Sequence, residues 1–111
     1  MEEEFYATIK LVSGEEIVSK VCYLPDEDKI LLDKPLQVEH AKQKKGHVEV
    51  TGFTFKEWVS ATFEDMFVIR RDHVLTMLEL DNEILEFYEK SVRKIESGRH
   101  LTGRGNKLPR A

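Results

Sequence analysis

The sequence predicts a mainly β protein, a small five-stranded antiparallel barrel followed by one C-terminal α-helix. Residues 5–77 consist of short segments with alternating apolar residues, separated by turn residues, and the period of the apolar residues becomes helical after Asp81. Short strands joined in sequence by tight turns form a meander, and a sheet this small tends to curl into a barrel.

The first two predicted strands form a hairpin. Phe5–Val12 alternates between two faces and is rich in β-branched and aromatic residues, which is typical of a half-buried strand. Ser13-Gly14 is a turn signal, and Ile17–Tyr23 alternates again. Pro25 and the acids after it end this strand, because proline cannot donate a hydrogen bond to a ladder.

The later β segments are less regular. Ile30–Val38 is a third strand in which Pro35 marks an edge or a bulge, residues 41–47 form a polar loop, and Val48–Phe63 again resembles a strand. Two short strands follow on either side of Arg71-Asp72, and they are Met66–Arg70 and His73–Met77.

One amphipathic helix closes the domain. Asp81 is the predicted N-cap and Gly98 the predicted end, and the apolar stripe consists of Ile84, Leu85, Tyr88, Val92 and Ile95. The domain is therefore expected to span residues 1–96. Residues 97–111 carry four basic residues and no acid, a charge of +4, so residues 1–96 carry −8 and the whole chain −4. We expect this basic tail to be disordered.

Composition excludes several classes of protein. No apolar run has the length of a membrane span, and the acidic start MEEEF does not resemble a signal peptide. Cys22 is the only cysteine, so no intrachain disulfide forms, and we expect a reducing, cytoplasmic location and no membrane partner.

The sequence predicts neither an enzyme nor a cofactor or metal site. It contains no phosphate-binding glycine loop, nucleophile elbow or zinc-protease motif. Cys22 lies inside a predicted strand, where a buried structural thiol is expected. The four histidines, at positions 40, 47, 73 and 100, do not pair at the spacing of metal ligands on one element.

Two basic clusters are candidates for contacts with a polyanion. Arg70 and Arg71 open a short turn between strands, and Lys42, Lys44 and Lys45 lie between two histidines. Arginines in such a turn point away from the core and can bind phosphate. Equally, both clusters can serve only to keep an edge and a loop soluble, and the residues alone leave both interpretations open.

Two separated segments resemble the two motifs of the Sm-like (LSm) family, whose members are RNA-binding barrels of SH3-like fold. The first motif runs from a strand leucine through a turn glycine to Leu-x-Leu-Asp, and the matching positions are Leu11, Gly14, Ile17, Val21, Ile30, Leu32 and Asp33. The second motif resembles Ile-Arg-Gly followed by Ile-x-x-Ile, matched by Ile69, Arg70, Val74 and Met77. The stretch DHVLTMLELDNEILEFYEKSV is similar to uncharacterised Sm-like proteins of marine phages (cyanophages) and ocean metagenomes.

The chain departs from these motifs at four positions. Ser19 replaces a glycine of the first motif, Pro25 its aspartate and Lys29 its base-binding asparagine, while Arg71 replaces the glycine of the second motif. Of the family's base pocket, only Arg70 is carried over. The resemblance therefore implies a cationic site at Lys29, Arg70 and Arg71 with little base discrimination, because contacts to phosphates carry no sequence information.

The resemblance further implies a homo-oligomeric ring, pentamer to heptamer, that binds RNA or single-stranded DNA. Lys42, Lys44 and Lys45 would add contacts from the long loop, and either Tyr23 or Trp58 would supply a stacking aromatic ring. The alternative is a protein-interaction or assembly module that keeps the barrel but has lost nucleic-acid binding. The acidic body and the replaced pocket residues favour that alternative.

Overall fold

The computed structural model describes residues 3–101, and the side chains in that range except those at 50, 51 and 99–101. It confirms a mainly β fold with one C-terminal helix, and the described chain forms a strand at each of the six strand-like segments, one more than the five assigned to the predicted barrel. The elements are β1 (Glu4–Leu11), β2 (Glu16–Leu24), β3 (Lys29–Lys45), β4 (Val48–Glu57), β5 (Met66–Arg70), β6 (Val74–Glu79) and α1 (Asn82–Leu101). Two 3₁₀ turns, Pro25–Glu27 and Arg71–His73, join β2 to β3 and β5 to β6.

All strands belong to one antiparallel sheet that curls into a half-barrel, with the order β4-β3-β2-β1-β6. β3 is long enough to pair with two strands, β4 and β5, one after the other along its length. Residues 29–33 of β3 pair with β5, and residues 36–45 pair with β4. The loop of residues 58–65 connects these two partners.

Each face of the sheet has its own apolar cluster. The inner face carries Ala7, Ile9, Leu11, Ile17, Val21, Ile30 and Leu32, all buried. The opposite face, here called the helix face, carries Val18, Leu36 and Val38, which pack with Tyr88 of α1. Consecutive strand residues point to opposite faces, so Ile17 and Val18 belong to different clusters although both are buried.

A bulge in β3 determines how α1 attaches to the sheet. The register between β2 and β3 shifts at Val18/Lys20, which leaves Lys34, with a φ of 54°, and Pro35 outside the ladder. Pro35 therefore marks a bulge, one of the two roles predicted for it. The Tyr88 hydroxyl donates to the Lys34 carbonyl oxygen at 2.8 Å and lies 3.3 Å from that of Asp33. Burial, and then the charge of Asp33, raise the pKa of Tyr88 well above its ordinary range.

The predicted helix is confirmed at its start and in its stripe, and it ends later than predicted. The Ile84 amide donates to Asp81 Oδ1 at 2.9 Å, so Asp81 is the N-cap. The helix continues through Gly98 to Leu101, since one glycine costs only about 1 kcal/mol in a helix. Residues 97–101 of the predicted tail are thus helical, and 102–111 lie outside the described residues. No helix within 3–101 combines the length and apolar character that crossing a membrane requires.

The prediction of a polar loop at residues 41–47 is wrong. Ala41–Lys45 continue β3 and pair with β4, and only Gly46 and His47 form the connection. Gly46 has a φ of 65° while His47 does not have a positive φ, as in a type II′ hairpin turn. Conversely, the strand predicted over Val48–Phe63 ends at Glu57. Cys22, expected to be buried, is half-buried.

Candidate nucleic-acid interface

The structure brings Lys29, Arg70 and Arg71 together at one end of the sheet. The 3₁₀ turn Pro25–Glu27 ends in Asp28, whose φ of 55° turns the chain back so that β3 begins at Lys29. Lys29 is the register partner of Arg70, the last residue of β5. The Arg71 amide donates to the Asp28 carbonyl oxygen at 3.1 Å, which holds the two turns side by side.

Tyr23 is the aromatic residue of this cluster. The Arg71 guanidinium carbon lies 5.7 Å from the centroid of the Tyr23 ring, within the range of a cation–π interaction. Tyr23 also borders an open cavity of about 540 Å³ whose other apolar walls include Phe5 and Met77. The cavity is large enough to admit a nucleobase stacked on the tyrosine ring, but its polar lining is acidic, Glu3, Asp26 and Glu27, and does not include Arg71.

Acidic residues surround the same cluster. Arg70 forms an ion pair with Asp72 at 2.6 Å. The turn before Lys29 carries the three acids Asp26, Glu27 and Asp28. Three cations therefore face four carboxylates, and the local net charge is −1. Among the ion pairs of the described residues, Arg70 is engaged while Lys29 and Arg71 are not, so these two are the cations available to a phosphate.

Trp58, the other candidate for stacking, lies elsewhere. Its ring packs against the inner cluster and meets Phe67 edge to face at 5.9 Å. Its indole nitrogen donates to Glu15 Oε2 at 3.2 Å. The position of Tyr23 near the end of β2, two residues before the turn Pro25–Glu27 that leads to Lys29, is the sequence signal that distinguishes the two aromatic residues.

The lysine cluster is separate from the arginine cluster. Lys42, Lys44 and Lys45 lie near the tip of the β3–β4 hairpin, about 43–53 Å along β3 from Lys29 at roughly 3.3 Å per residue. All three are exposed, and Lys42 lies 4.0 Å from Glu49 on β4. The two predicted basic sites therefore do not form one surface within a single chain.

Two strands near the cluster, β5 and β6, each have an open edge. In the described ladders β5 pairs only with β3, and β6 pairs only with β1. These strands carry four large apolar side chains that are more than half exposed, Met66, Val68, Leu75 and Leu78. Unpaired edges with exposed apolar residues are places where another chain can add.

The fold is that of a small β-barrel-like module. Its antiparallel sheet is curled, and a 3₁₀ turn with basic residues joins its last two strands. The family model of the Sm-like domain matches residues 8–89, about three quarters of the chain. The chain belongs to the Sm-like family. No curated protein matches its sequence. The Sm-like resemblance inferred from the motifs at Leu11–Asp33 and Ile69–Met77 is thereby confirmed.

Proposed function

We propose that this protein is the subunit of a homo-oligomeric ring that binds RNA or single-stranded DNA with low sequence specificity and has no enzymatic activity. The observation that carries the proposal is the convergence of Lys29, Arg70 and Arg71 beside Tyr23. Membership of the Sm-like family supports it, because such domains are typically oligomeric and RNA-binding.

Phosphate contacts would supply most of the affinity. Lys29 and Arg71 offer donors that no carboxylate of the described residues occupies, and Arg70 becomes available if a phosphate displaces Asp72. Tyr23 offers a face for one base, with Arg71 already stacked on the ring. Because stacking accepts every base, such a site discriminates weakly between sequences.

Assembly would follow from the open edges. Pairing β5 of one copy with β6 of the next is a head-to-tail contact, which closes into a ring when the rotation between subunits allows it. Pairing of this kind covers Met66, Val68 and Leu78 and repeats the cationic cluster around the ring, pentamer to heptamer. Repetition compensates for the weak local charge, because linked weak sites bind with high avidity.

Two finer points belong to the same proposal. The similarity of residues 72–92 to phage proteins suggests a phage origin and action in the host cytoplasm. Lys42, Lys44 and Lys45 would form a second, additive contact for a longer strand, because they lie at the distal end of the hairpin.

The test is a titration of a fluorescent single-stranded oligonucleotide at two salt concentrations. Replacing Arg70 and Arg71 by alanine should weaken binding and reduce the slope of log K against log salt by about 1.4–1.8 for each subunit engaged, since roughly 0.7–0.9 counterions are released per phosphate contact. Replacing Lys90 and Lys94, exposed on α1, by alanine makes the same change in net charge and should leave that slope nearly unchanged. Equal effects of the two double variants would refute the proposed site.

The alternative function is an assembly module without nucleic-acid binding. The observation that favours it is the excess of carboxylates around the three cations. If the wild-type protein forms a discrete oligomer by light scattering and binds no single-stranded RNA or DNA even at low salt, this alternative replaces the first proposal.

A further inference from the structure

A groove of about 340 Å³ runs across the helix face of the sheet, remote from the arginine cluster. Five strands and the start of α1 line it, and its apolar lining consists of Val18, Val38, Phe53, Phe55, Leu78, Leu80 and Ile84. Leu78 lies on the edge strand β6 and is 61% exposed in the single chain, so the groove extends to the edge beside which a neighbouring copy would add.

Aromatic rings close the groove at the β4 side. Phe55 packs against Phe87 of α1 at 4.8 Å between centroids, and Phe53 contacts both rings at 5.5 and 5.8 Å. Phe53 and Phe87 remain more than a third exposed. An apolar side chain that enters the groove would therefore bury these rings as well as itself.

The polar rim of the groove is acidic. Glu16, Glu79 and Asp81 line it, and His40, 3.7 Å from Glu16, is its one basic residue. Asp81 already accepts the capping hydrogen bond from the Ile84 amide, and Glu79 forms no ion pair with any side chain that the structure describes. A groove with an apolar floor and a carboxylate rim complements a segment that combines an apolar side chain with cations.

The chain contains such a segment beyond its described residues. Residues 102–111 include Arg104, Lys107 and Arg110 and no acid, and Leu108 lies between two of these cations. We propose that residues 102–111 of one copy dock in the groove of the neighbouring copy, with Leu108 on the apolar floor and Lys107 or Arg110 against Glu79. This inference rests on the head-to-tail assembly of the proposed function.

Distances favour the neighbouring copy over the same chain. From Ile84, which lines the groove, to Leu101 the helix advances about 25 Å at 1.5 Å per residue. The seven residues from Leu101 to Leu108 span at most about 25 Å when fully extended. They could therefore reach the groove of their own chain only if they ran fully extended back along the whole length of the helix.

The end of the helix also lies on the correct side of the subunit. Val92 and Ile95 border the loop of residues 58–65 and Phe67 of β5, and Glu96 pairs with Lys34 at 3.7 Å. The C-terminal part of α1 thus lies beside the β5 edge. When β5 of one copy pairs with β6 of the next, this end of the helix approaches the β6 side, where the groove opens.

Photo-crosslinking in the full-length protein tests the proposal. The variant Leu108→benzoylphenylalanine is assembled with wild-type copies that a tag makes distinguishable by mass, and crosslinked peptides are identified after irradiation. Crosslinks should join position 108 to Phe53, Leu78 or Ile84 of a different copy. Glu79→Lys should lower their yield about tenfold or more, because it places like charges side by side, and adding Arg110→Glu should restore it. Glu89→Lys, outside the groove, is the matched control and should leave the yield unchanged.

The outcomes separate the two proposals when light scattering is measured on the same samples. An oligomer with crosslinks elsewhere, within one chain or absent, overturns the docking proposal and leaves the ring standing. A monomer overturns the ring and the docking together. A groove crosslink that Glu79→Lys does not weaken refutes the role of the acidic rim and with it the assignment of this occupant.

Discussion

Replacing Tyr88 by phenylalanine removes the one hydroxyl that joins the helix to the bulge of β3. Tyr88 is 3% exposed, and its hydroxyl donates to the Lys34 carbonyl oxygen at 2.8 Å. Phenylalanine keeps the ring and its contact with Tyr6, 5.8 Å between centroids, but leaves a partly buried carbonyl without this donor. The expected loss of unfolding free energy is about 1–3 kcal/mol. Tyr88→Ala, which also removes the ring, should cost about 3–5 kcal/mol.

Urea unfolding followed by far-ultraviolet circular dichroism measures this loss. Protomer concentration must be held constant, because assembly stabilises the folded state by mass action. The matched control is Tyr6→Phe, the same chemical change at a half-buried ring whose hydroxyl makes no hydrogen bond with the described residues, and it should change stability by less than about 0.5 kcal/mol. Equal midpoints for Tyr88→Phe and the wild type would show that the bulge carbonyl does not depend on Tyr88.

The pH dependence of stability gives an independent test. Burial raises the pKa of Tyr88 above its ordinary value of about 10, so the unfolded chain releases this proton first as the pH rises. The contribution of protonated Tyr88 to the free energy of unfolding is complete below about pH 10. It is lost as the pH rises beyond that value, by up to about 1.4 kcal/mol per pH unit. Tyr88→Phe should therefore lose less stability than the wild type between pH 10 and 11. An identical pH dependence for both proteins would contradict this.

Three further predictions concern the surface. The hairpin lysines are Lys42, Lys44 and Lys45. Replacing all three by glutamine should weaken oligonucleotide binding, and this effect should add to that of the arginine double variant. A titration in which the two effects do not add would mean that the two sites are in contact. Val68→Glu, on the open edge of β5, should reduce the oligomer mass in light scattering, and an unchanged mass would exclude this edge from the interface. Gly46→Ala should speed amide exchange of the hairpin about 5- to 30-fold, for the roughly 1–2 kcal/mol that a positive φ costs, whereas Gly52→Ala, without a positive φ, should not.

Under the proposed function, assembly into a ring would allow a chain of net charge −4 to bind a polyanion. Each copy contributes two cations that no carboxylate of the described residues engages, Lys29 and Arg71, and these lie on a locally acidic surface. Screening confines the repulsion of the remaining body to about 10 Å, so the short-range contacts decide the binding. The expected consequence is binding that is weak per subunit and steeply dependent on the number of subunits engaged.

The sequence by itself determined the elements whose burial is one-sided. Alternation identified β1 and β2, the spacing of Ile84, Tyr88 and Val92 identified α1, and the turn predicted at Arg71-Asp72 lies within the observed turn Arg71–His73. The family followed from the positions of the apolar residues in two short motifs. These features share one physical cause, because a residue that must face the core leaves a periodic mark in the sequence.

Only the tertiary structure decided the rest. Ala41–Lys45 lack an apolar face, so the sequence predicted a loop. They form a strand because β4 supplies their hydrogen-bond partners. The choice of Tyr23 over Trp58, the ion pair of Arg70 with Asp72 and the distance between the two basic clusters depend on which strands meet across β3. Contacts between residues far apart in the chain leave no local period, so pairing and burial had to be seen before the site could be placed.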